Sequence, residues 1–392
     1  QGLSSLARMG AQVNVAQSFG RGRKDEAGEY ARAALQLTLL FGVLFAIVSV
    51  GFTDGLVALF HLGGKETIQC AESYMRITCG LVIFSYMTVV LTGIYTAQGD
   101  SKTPLLANII GLIVNMALDP VLILGIGPFP RMEVVGAAIA TVIAQFIVML
   151  VMILGAWKGK GADNVLAGMK LIKPVEGRFF QAVFRIGVPT ALQGTVYCGI
   201  SMVLTRMVAV FGPGAVAVRR VGGQVEAVSW NTADGFAAAI NAFTAQNYGA
   251  GQMERVRKGY KISFRTIAIW GSLITLTFIL LPKPISEIFF HEANVVGISI
   301  DYLRIVGISE AFMCVELMTV GALSGLGRTK LCSIISILLT VARVPLAVVF
   351  SATPLALNGI WWALTISSVV KGIVFVIAFN RVTIAKNNKK NA

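Results

Sequence analysis

Apolar stretches recur along the chain between short polar segments, as at residues 33–51 and 105–127. Each is close to the ~20 residues that cross a bilayer as a helix. The pattern predicts eleven spans, at 1–18, 28–52, 67–97, 103–125, 133–157, 181–210, 216–245, 257–281, 295–323, 329–350 and 356–380. No alternating strand pattern competes with them, so the fold class is an all-α polytopic membrane protein. The longest polar stretch, 157–178, carries Gly159, Gly161, Gly168, Gly177, Pro174 and four lysines, a composition suited to a linker between two bundles.

A phrase at the end of one helix occurs twice. Ala16-Gln17-Ser18-Phe19-Gly20-Arg21-Gly22 returns as Ala245-Gln246-Asn247-Tyr248-Gly249-Ala250-Gly251, 229 residues later. Phe60 falls on Phe289 in that register; from there the offset is 228, so that Tyr74, Arg76 and Ile77 fall on Tyr302, Arg304 and Ile305, and Gly93, Gly99 and Lys102 on Gly321, Gly327 and Lys330. The chain is therefore two copies of one unit, an architecture that in membranes points to transport at the interface of the halves. The expected organisation is an N-lobe at 1–157, a cytoplasmic linker at 158–180, a six-helix C-lobe at 181–380 and a basic tail at 381–392. The first copy holds five spans against six in the second, and the sequence starts with Gln. The expectation is that a helix and a half of the first copy are absent, and that the natural protein has twelve spans, two six-helix bundles about a pseudo-twofold axis.

Of the 392 residues 56% are hydrophobic and 13% charged, about half the charged share of a soluble domain, which excludes a soluble enzyme core. The net charge of +14 is distributed as loops, not as a nucleic-acid face. One side holds 22 basic residues: Arg21, Arg23, Lys24 and Arg32; Lys102; Lys158, Lys160, Lys170, Lys173, Arg178 and Arg185; Arg255, Arg257, Lys258, Lys261 and Arg265; Arg328 and Lys330; Arg381, Lys386, Lys389 and Lys390. The other holds 5: Lys65, Arg131, Arg219, Arg220 and Lys283. This predicts cytoplasmic termini. Cys70, Cys79, Cys198, Cys314 and Cys332 lack paired spacing and read as small core residues. His61 and His291 are expected in equivalent loops, leaving little material for a hydrolytic metal centre. No nucleophile constellation, Walker motif or cofactor fingerprint occurs, so neither an enzyme nor an ATP-driven pump is expected.

The repeated Ala-Gln-x-x-Gly-x-Gly phrase resembles the multidrug and toxic compound extrusion (MATE) family. So do Gly93-Ile94-Tyr95-Thr96-Ala97-Gln98-Gly99-Asp100-Ser101-Lys102-Thr103 and Asn115-Met116-Ala117-Leu118-Asp119-Pro120 followed by Gly136-Ala137-Ala138-Ile139-Ala140-Thr141. Within it the chain is most similar to the bacterial DinF-like members. The resemblance implies an antiporter in the bacterial inner membrane, driven by Na⁺ or H⁺ and exporting amphipathic, often cationic compounds as a monomer.

Asp119 is the leading candidate residue. It lies inside an apolar run, where an ionised carboxylate costs ~2.5–3.5 kcal/mol, and Asn115 one turn earlier shares its face. Asn108 extends that stripe. Such a pair can ligate Na⁺ through oxygen or hold a proton; alternatively Asp119 is an N-cap or kink residue before Pro120. The resemblance assigns the pair to an N-lobe cation site, with Thr141 adding a hydroxyl and an Asp of the first helix, which this sequence lacks, completing it. In the second half Glu226 and Asp234 share one face, Glu310 and Glu316 stand on another span, and Arg343 on the next. Two readings are open. Glu226 and Glu316 form an acidic substrate-facing patch partly neutralised by Arg343, or the charges are a static ion-pair network. The acids outnumber Arg343, favouring cations over the anionic lipid-linked oligosaccharides of flippases in the same superfamily. Met202, Met207, Trp230, Phe236, Phe243, Met313 and Met318 are candidates to line a cavity. Pro345 is expected to bend its span, and Arg206 and Lys371 to snorkel to an interface.

Overall fold

The computed structural model describes every residue except Gln1, 59–63, 128–129, 159–163, 168 and Ala392, with side chains described to Ile384 apart from that of Lys158. His61 and Phe60 thus lie outside the described residues. All regular structure among those described is helical. In chain order the helices are α1 (Gly2–Gly20), α2 (Lys24–Gly51), α3 (Thr53–Ala58), α4 (Lys65–Gly80), α5 (Ile83–Gln98), α6 (Lys102–Leu124), α7 (Glu133–Lys158), α8 (Gly177–Ala209), α9 (Pro213–Gly249), α10 (Met253–Leu280), α11 (Pro282–Phe289), α12 (Ala293–Gly307), α13 (Glu310–Gly325), α14 (Thr329–Val341), α15 (Arg343–Ser351) and α16 (Leu357–Asn391).

Seven helical segments are long and apolar enough to cross a membrane, and nine if the bent pairs α4–α5 (44°) and α12–α13 (48°) each count as one span. The α14–α15 stretch passes as one span, so the interruption at Ala342, two residues before Val344-Pro345, breaks the helix without a large bend. Of the eleven expected spans, α1 and α9 are long enough, at 19 and 37 residues, but not apolar enough to count. For α9 the reason is chemical: Arg219, Arg220, Glu226 and Asp234 all lie on it.

The sequence repeat is a repeat of backbone devices. Gly22 (φ 76°) and Gly251 (φ 74°) take the left-handed conformation that spares glycine a Cβ clash. At each, the following amide returns to a carbonyl five residues back, Arg23 N to Ser18 O at 3.0 Å and Gln252 N to Asn247 O at 2.8 Å. Gly99 and Gly327 end α5 and α13 in the same way, with Asp100 N on Tyr95 O and Arg328 N on Leu323 O, both at 3.0 Å. These are glycine C-caps that satisfy carbonyls orphaned at a helix end.

The chain divides into two compact units, Leu3–Gly187 and Val188–Ala392. In the first, α6 packs on α7 where Gly111 meets Val148 and Gly136 meets the backbone of Leu122, and Tyr95 Oη donates to Met152 O at 2.7 Å. The segment before α8 folds back on α2, Gln36 Nε2 donating to Leu171 O (2.6 Å) and Lys173 O (2.9 Å). In the second, α13 is the central element. Gly321 lies against the carbonyl of Ala237, Asn241 Nδ2 donates to Gly321 O at 3.0 Å, and Tyr260 stacks on Phe379 with centroids 3.7 Å apart.

Candidate functional site

The N-terminal unit carries Asp119 inside α6. The helix runs unbroken through Pro120 to Leu124, so Asp119 is an interior residue and not a cap. It is half-exposed, as is Asn115, whose Nδ2 donates to Asp119 Oδ1 at 3.4 Å. No basic side chain pairs with Asp119 among the described residues. The contacts of Gly111 and Gly136 set an antiparallel register that places Thr141 of α7 at a level between Asn115 and Asp119. Thr141 is exposed, and its hydroxyl donates to Ala137 O at 2.9 Å. Asn108 is exposed and donates to Pro104 O at 2.8 Å, so no bond of this structure ties it to the pair. Among the described residues no group of three or more His, Cys, Asp or Glu side chains is placed to hold a metal ion.

The C-terminal unit assembles a charged network across α9, α12, α13, α15 and α16. Tyr302 of α12, fully buried, donates its hydroxyl to Glu226 of α9 and accepts from Arg219 Nη1 at 2.9 Å. Gly222, between those two residues of α9, leaves room for the Tyr302 ring, which a Cβ there would strike. Glu310, buried at the start of α13, lies close enough to Glu226 for their charges to interact; Ser229 stands beside it and contacts Cys314 Sγ at 3.3 Å. Glu316, two turns along α13, pairs with Lys371 Nζ of α16 at 3.6 Å. Arg343 of α15 is buried; its Nε donates to Ser367 Oγ (3.1 Å) and its Nη2 to Ser368 Oγ (3.0 Å), and its charge acts on both Glu226 and Glu316.

Several expectations change. Lys371 does not snorkel: it is buried and neutralises Glu316, because a carboxylate on the neighbouring helix is within reach. Arg219 is not a loop charge; it lies nearly two turns inside α9 and completes the Tyr302–Glu226 pair. Asp234 is exposed and makes no ion pair among the described residues, so it does not join Glu226. Eight residues at about 100° each leave the two side chains some 80° apart around the helix. Met318 is core and lines nothing, whereas Met202 and Trp230 are exposed, as is Arg206. The buried acids Glu310 and Glu316 and the half-buried Glu226 are matched in number by Arg219, Arg343 and Lys371, so the acidic excess expected of this unit does not hold. Tyr302, Arg219 and the Ser367–Ser368 pair are members that sequence reasoning missed; a lysine in mid-span was as strong a signal for a buried partner as the acids were.

Comparison with known proteins agrees with this architecture. The sequence model of the MatE family matches residues 3–121 and 189–349. A probable multidrug resistance protein NorM of Thermotoga maritima is 28% identical over 91% of this chain and 76% of its own length. A Shewanella oneidensis protein named as an FAD transporter is 26% identical, over 93% of this chain and 80% of its own. Among solved structures, a MATE protein in a bent conformation superposes with a TM-score of 0.90 at 23% identity, covering 100% of this chain and 86% of the other. With the family's sequence pattern present in both halves and its fold alongside, the chain belongs to the MATE family of multidrug efflux transporters.

Proposed function

We propose that this protein is a cation-coupled antiporter, driven by Na⁺ or H⁺, that exports amphipathic and often cationic organic compounds by alternating access. The observation that carries the coupling is the Asn115–Asp119 pair: a half-exposed carboxylate inside an apolar helix, 3.4 Å from an amide and without a basic partner among the described residues. Such a carboxylate costs ~2.5–3.5 kcal/mol when ionised in a span, and a bound cation or proton offsets that cost. With the Asn115 amide turned so that its oxygen faces Asp119, the pair becomes two oxygen ligands suited to Na⁺; protonated, Asp119 needs only the acceptor beside it. Thr141 adds a third oxygen at the same level. The distribution of basic loops supports cytoplasmic termini in a bacterial inner membrane, and the proposed working unit is a monomer.

Everted vesicles from cells expressing the protein test this. An imposed Na⁺ or H⁺ gradient drives ethidium exchange in the wild type and none in Asp119→Asn, which still inserts. Unchanged ethidium efflux by that variant rules out Asp119 as the coupling group, and the ion that drives the flux names the coupling.

A second reading has a specific observation behind it. The C-terminal charges balance, three acids against three bases, so they do not select cations. The similarity to a protein named as an FAD transporter supports an anionic amphiphile as cargo. Flux of labelled FAD, with ethidium in parallel, separates the two.

A further inference from the structure

Between α9 and α10 lies a groove of about 490 Å³. One wall is the stripe Phe236, Ala239, Ile240 and Phe243 of α9; the other is Arg255, Lys258, Gly259, Ile262 and Ser263 of α10. Both stripes follow the i, i+3, i+4, i+7 spacing of a single helix face. The two helices are antiparallel and joined by the turn at Gly251, so the groove has a direction. Arg255 and Lys258, both exposed, stand nearest the turn, and the apolar residues lie deeper. From Arg255 to Ile262 the helix descends about 10 Å at 1.5 Å per residue. The volume is in the ~300–1,000 Å³ range of ligand sites.

The duplication makes the groove informative. In the 229-residue register Arg255 and Lys258 correspond to Glu26 and Glu29, and Gly259 to Tyr30. Phe236, Ile240 and Phe243 correspond to Ala7, Ala11 and Asn14. In the first copy Ala7 and Ala11 are fully buried, and the Tyr30 ring packs edge-on against Phe179. In the second copy a Cβ at Gly259 would strike the Phe243 ring, so glycine is what lets that ring lie flat along α10 and leave the groove open. The two halves share the helix hairpin and its turn, yet only the second combines open apolar walls with a basic rim.

We infer that this groove binds one anionic glycerophospholipid, its phosphate on Arg255 and Lys258 and an acyl chain along Phe243, Ile240 and Ile262. Charge complementarity selects that occupant. The first turns of α10 carry Arg255, Arg257, Lys258, Lys261 and Arg265 against Glu254 alone, and basic residues flanking apolar membrane segments attract anionic headgroups. Each Lys or Arg near an anionic surface contributes about fivefold in binding, so the two rim residues together give about 25-fold preference over a zwitterionic headgroup.

Native mass spectrometry of the detergent-purified full chain, incubated with phosphatidylglycerol or phosphatidylcholine of identical acyl chains, tests the site. The wild type retains one phosphatidylglycerol preferentially. Arg255→Gln/Lys258→Gln loses the headgroup preference by about 25-fold. Arg328→Gln/Lys330→Gln, which removes two exposed basic residues of another loop on the same side, leaves it unchanged. Gly259→Leu drives the Phe243 ring into the groove and lowers retention of both lipids. The inference is overturned if the Arg255/Lys258 variant keeps the wild-type preference, if the Arg328/Lys330 variant loses it equally, or if the wild type shows none.

Discussion

Removing one partner of the Glu316–Lys371 pair is the sharpest test of what the C-terminal charges do. The two side chains are 11% and 5% exposed, with Nζ and Oε1 3.6 Å apart. At an effective dielectric of ~20 a pair at this distance attracts by about 4–5 kcal/mol. Burial costs each ion several kcal/mol, so the intact pair is close to neutral, whereas stranding one member costs ~3–5 kcal/mol. The surroundings make the two losses unequal. Arg343 also acts on Glu316. Lys371→Met therefore leaves a carboxylate that still has a cation nearby, while Glu316→Gln leaves two cations without their shared carboxylate. Thermal unfolding of the purified protein should rank the stabilities wild type, then Lys371→Met, then Glu316→Gln. The Glu316→Gln/Lys371→Met double variant should recover most of the loss, giving a coupling energy of about 2 kcal/mol or more. Additive losses would refute the reasoning. So would a Glu316→Gln protein of wild-type stability that no longer moves ethidium, since Glu316 would then belong to the transport cycle and not to the packing.

Tyr302→Phe deletes the donor to Glu226 and the acceptor of Arg219 together; bonds to charged groups are worth ~1.5–3 kcal/mol each, so a loss of at least that size is expected in the same unfolding assay. Gly321→Ala should destabilise more than Gly93→Ala: the added methyl meets the Ala237 carbonyl at Gly321 but first the flexible Arg8 Cγ, at 2.8 Å, at Gly93. Equal losses in unfolding temperature would contradict that. Among the free cysteines Cys314 and Cys332 are buried, so a maleimide should modify them only after denaturation, as peptide mass mapping reads directly.

Most helix limits were legible to within a few residues, the C-terminal end of α16 excepted, because apolar length and glycine C-caps are local properties of the chain. Gly22 and Gly251, found as a repeated phrase, are also the positions of positive φ. The bends at 81–82 and 308–309 were not visible, since neither holds a proline and the glycine before each, Gly80 and Gly307, is tolerated inside a helix. The Asn115–Asp119 pair was legible for the same reason as the spans: one turn of one helix fixes it. Partnerships between helices were not. Tyr302 meets Glu226 across 76 residues and Arg343 meets Ser367 across 24, and no periodicity encodes which faces will touch. Lys371 was misplaced because snorkelling and pairing give the same sequence, a lysine in an apolar span; only the position of Glu316 decides between them.

The duplicated register shows how one backbone was given two chemistries. Gly93 meets Arg8 where Gly321 meets Ala237, and these are corresponding positions, so the same helix crossing is built twice. The side chains around that crossing then diverge. Tyr74 is exposed, whereas its counterpart Tyr302 is fully buried and bonded to Glu226; Arg76 pairs with Asp54 at 2.7 Å, whereas Arg304 is exposed. Asn115 and Asp119 correspond to Arg343 and Ala347, so the carboxylate of one copy has no counterpart in the other and the amide beside it becomes a guanidinium. A lone half-exposed carboxylate changes its interactions when a small cation or proton arrives; a buried network of paired charges resists change, because altering any one member strands another. The copies thus retain the glycine caps while their charged side chains follow two separate electrostatic designs.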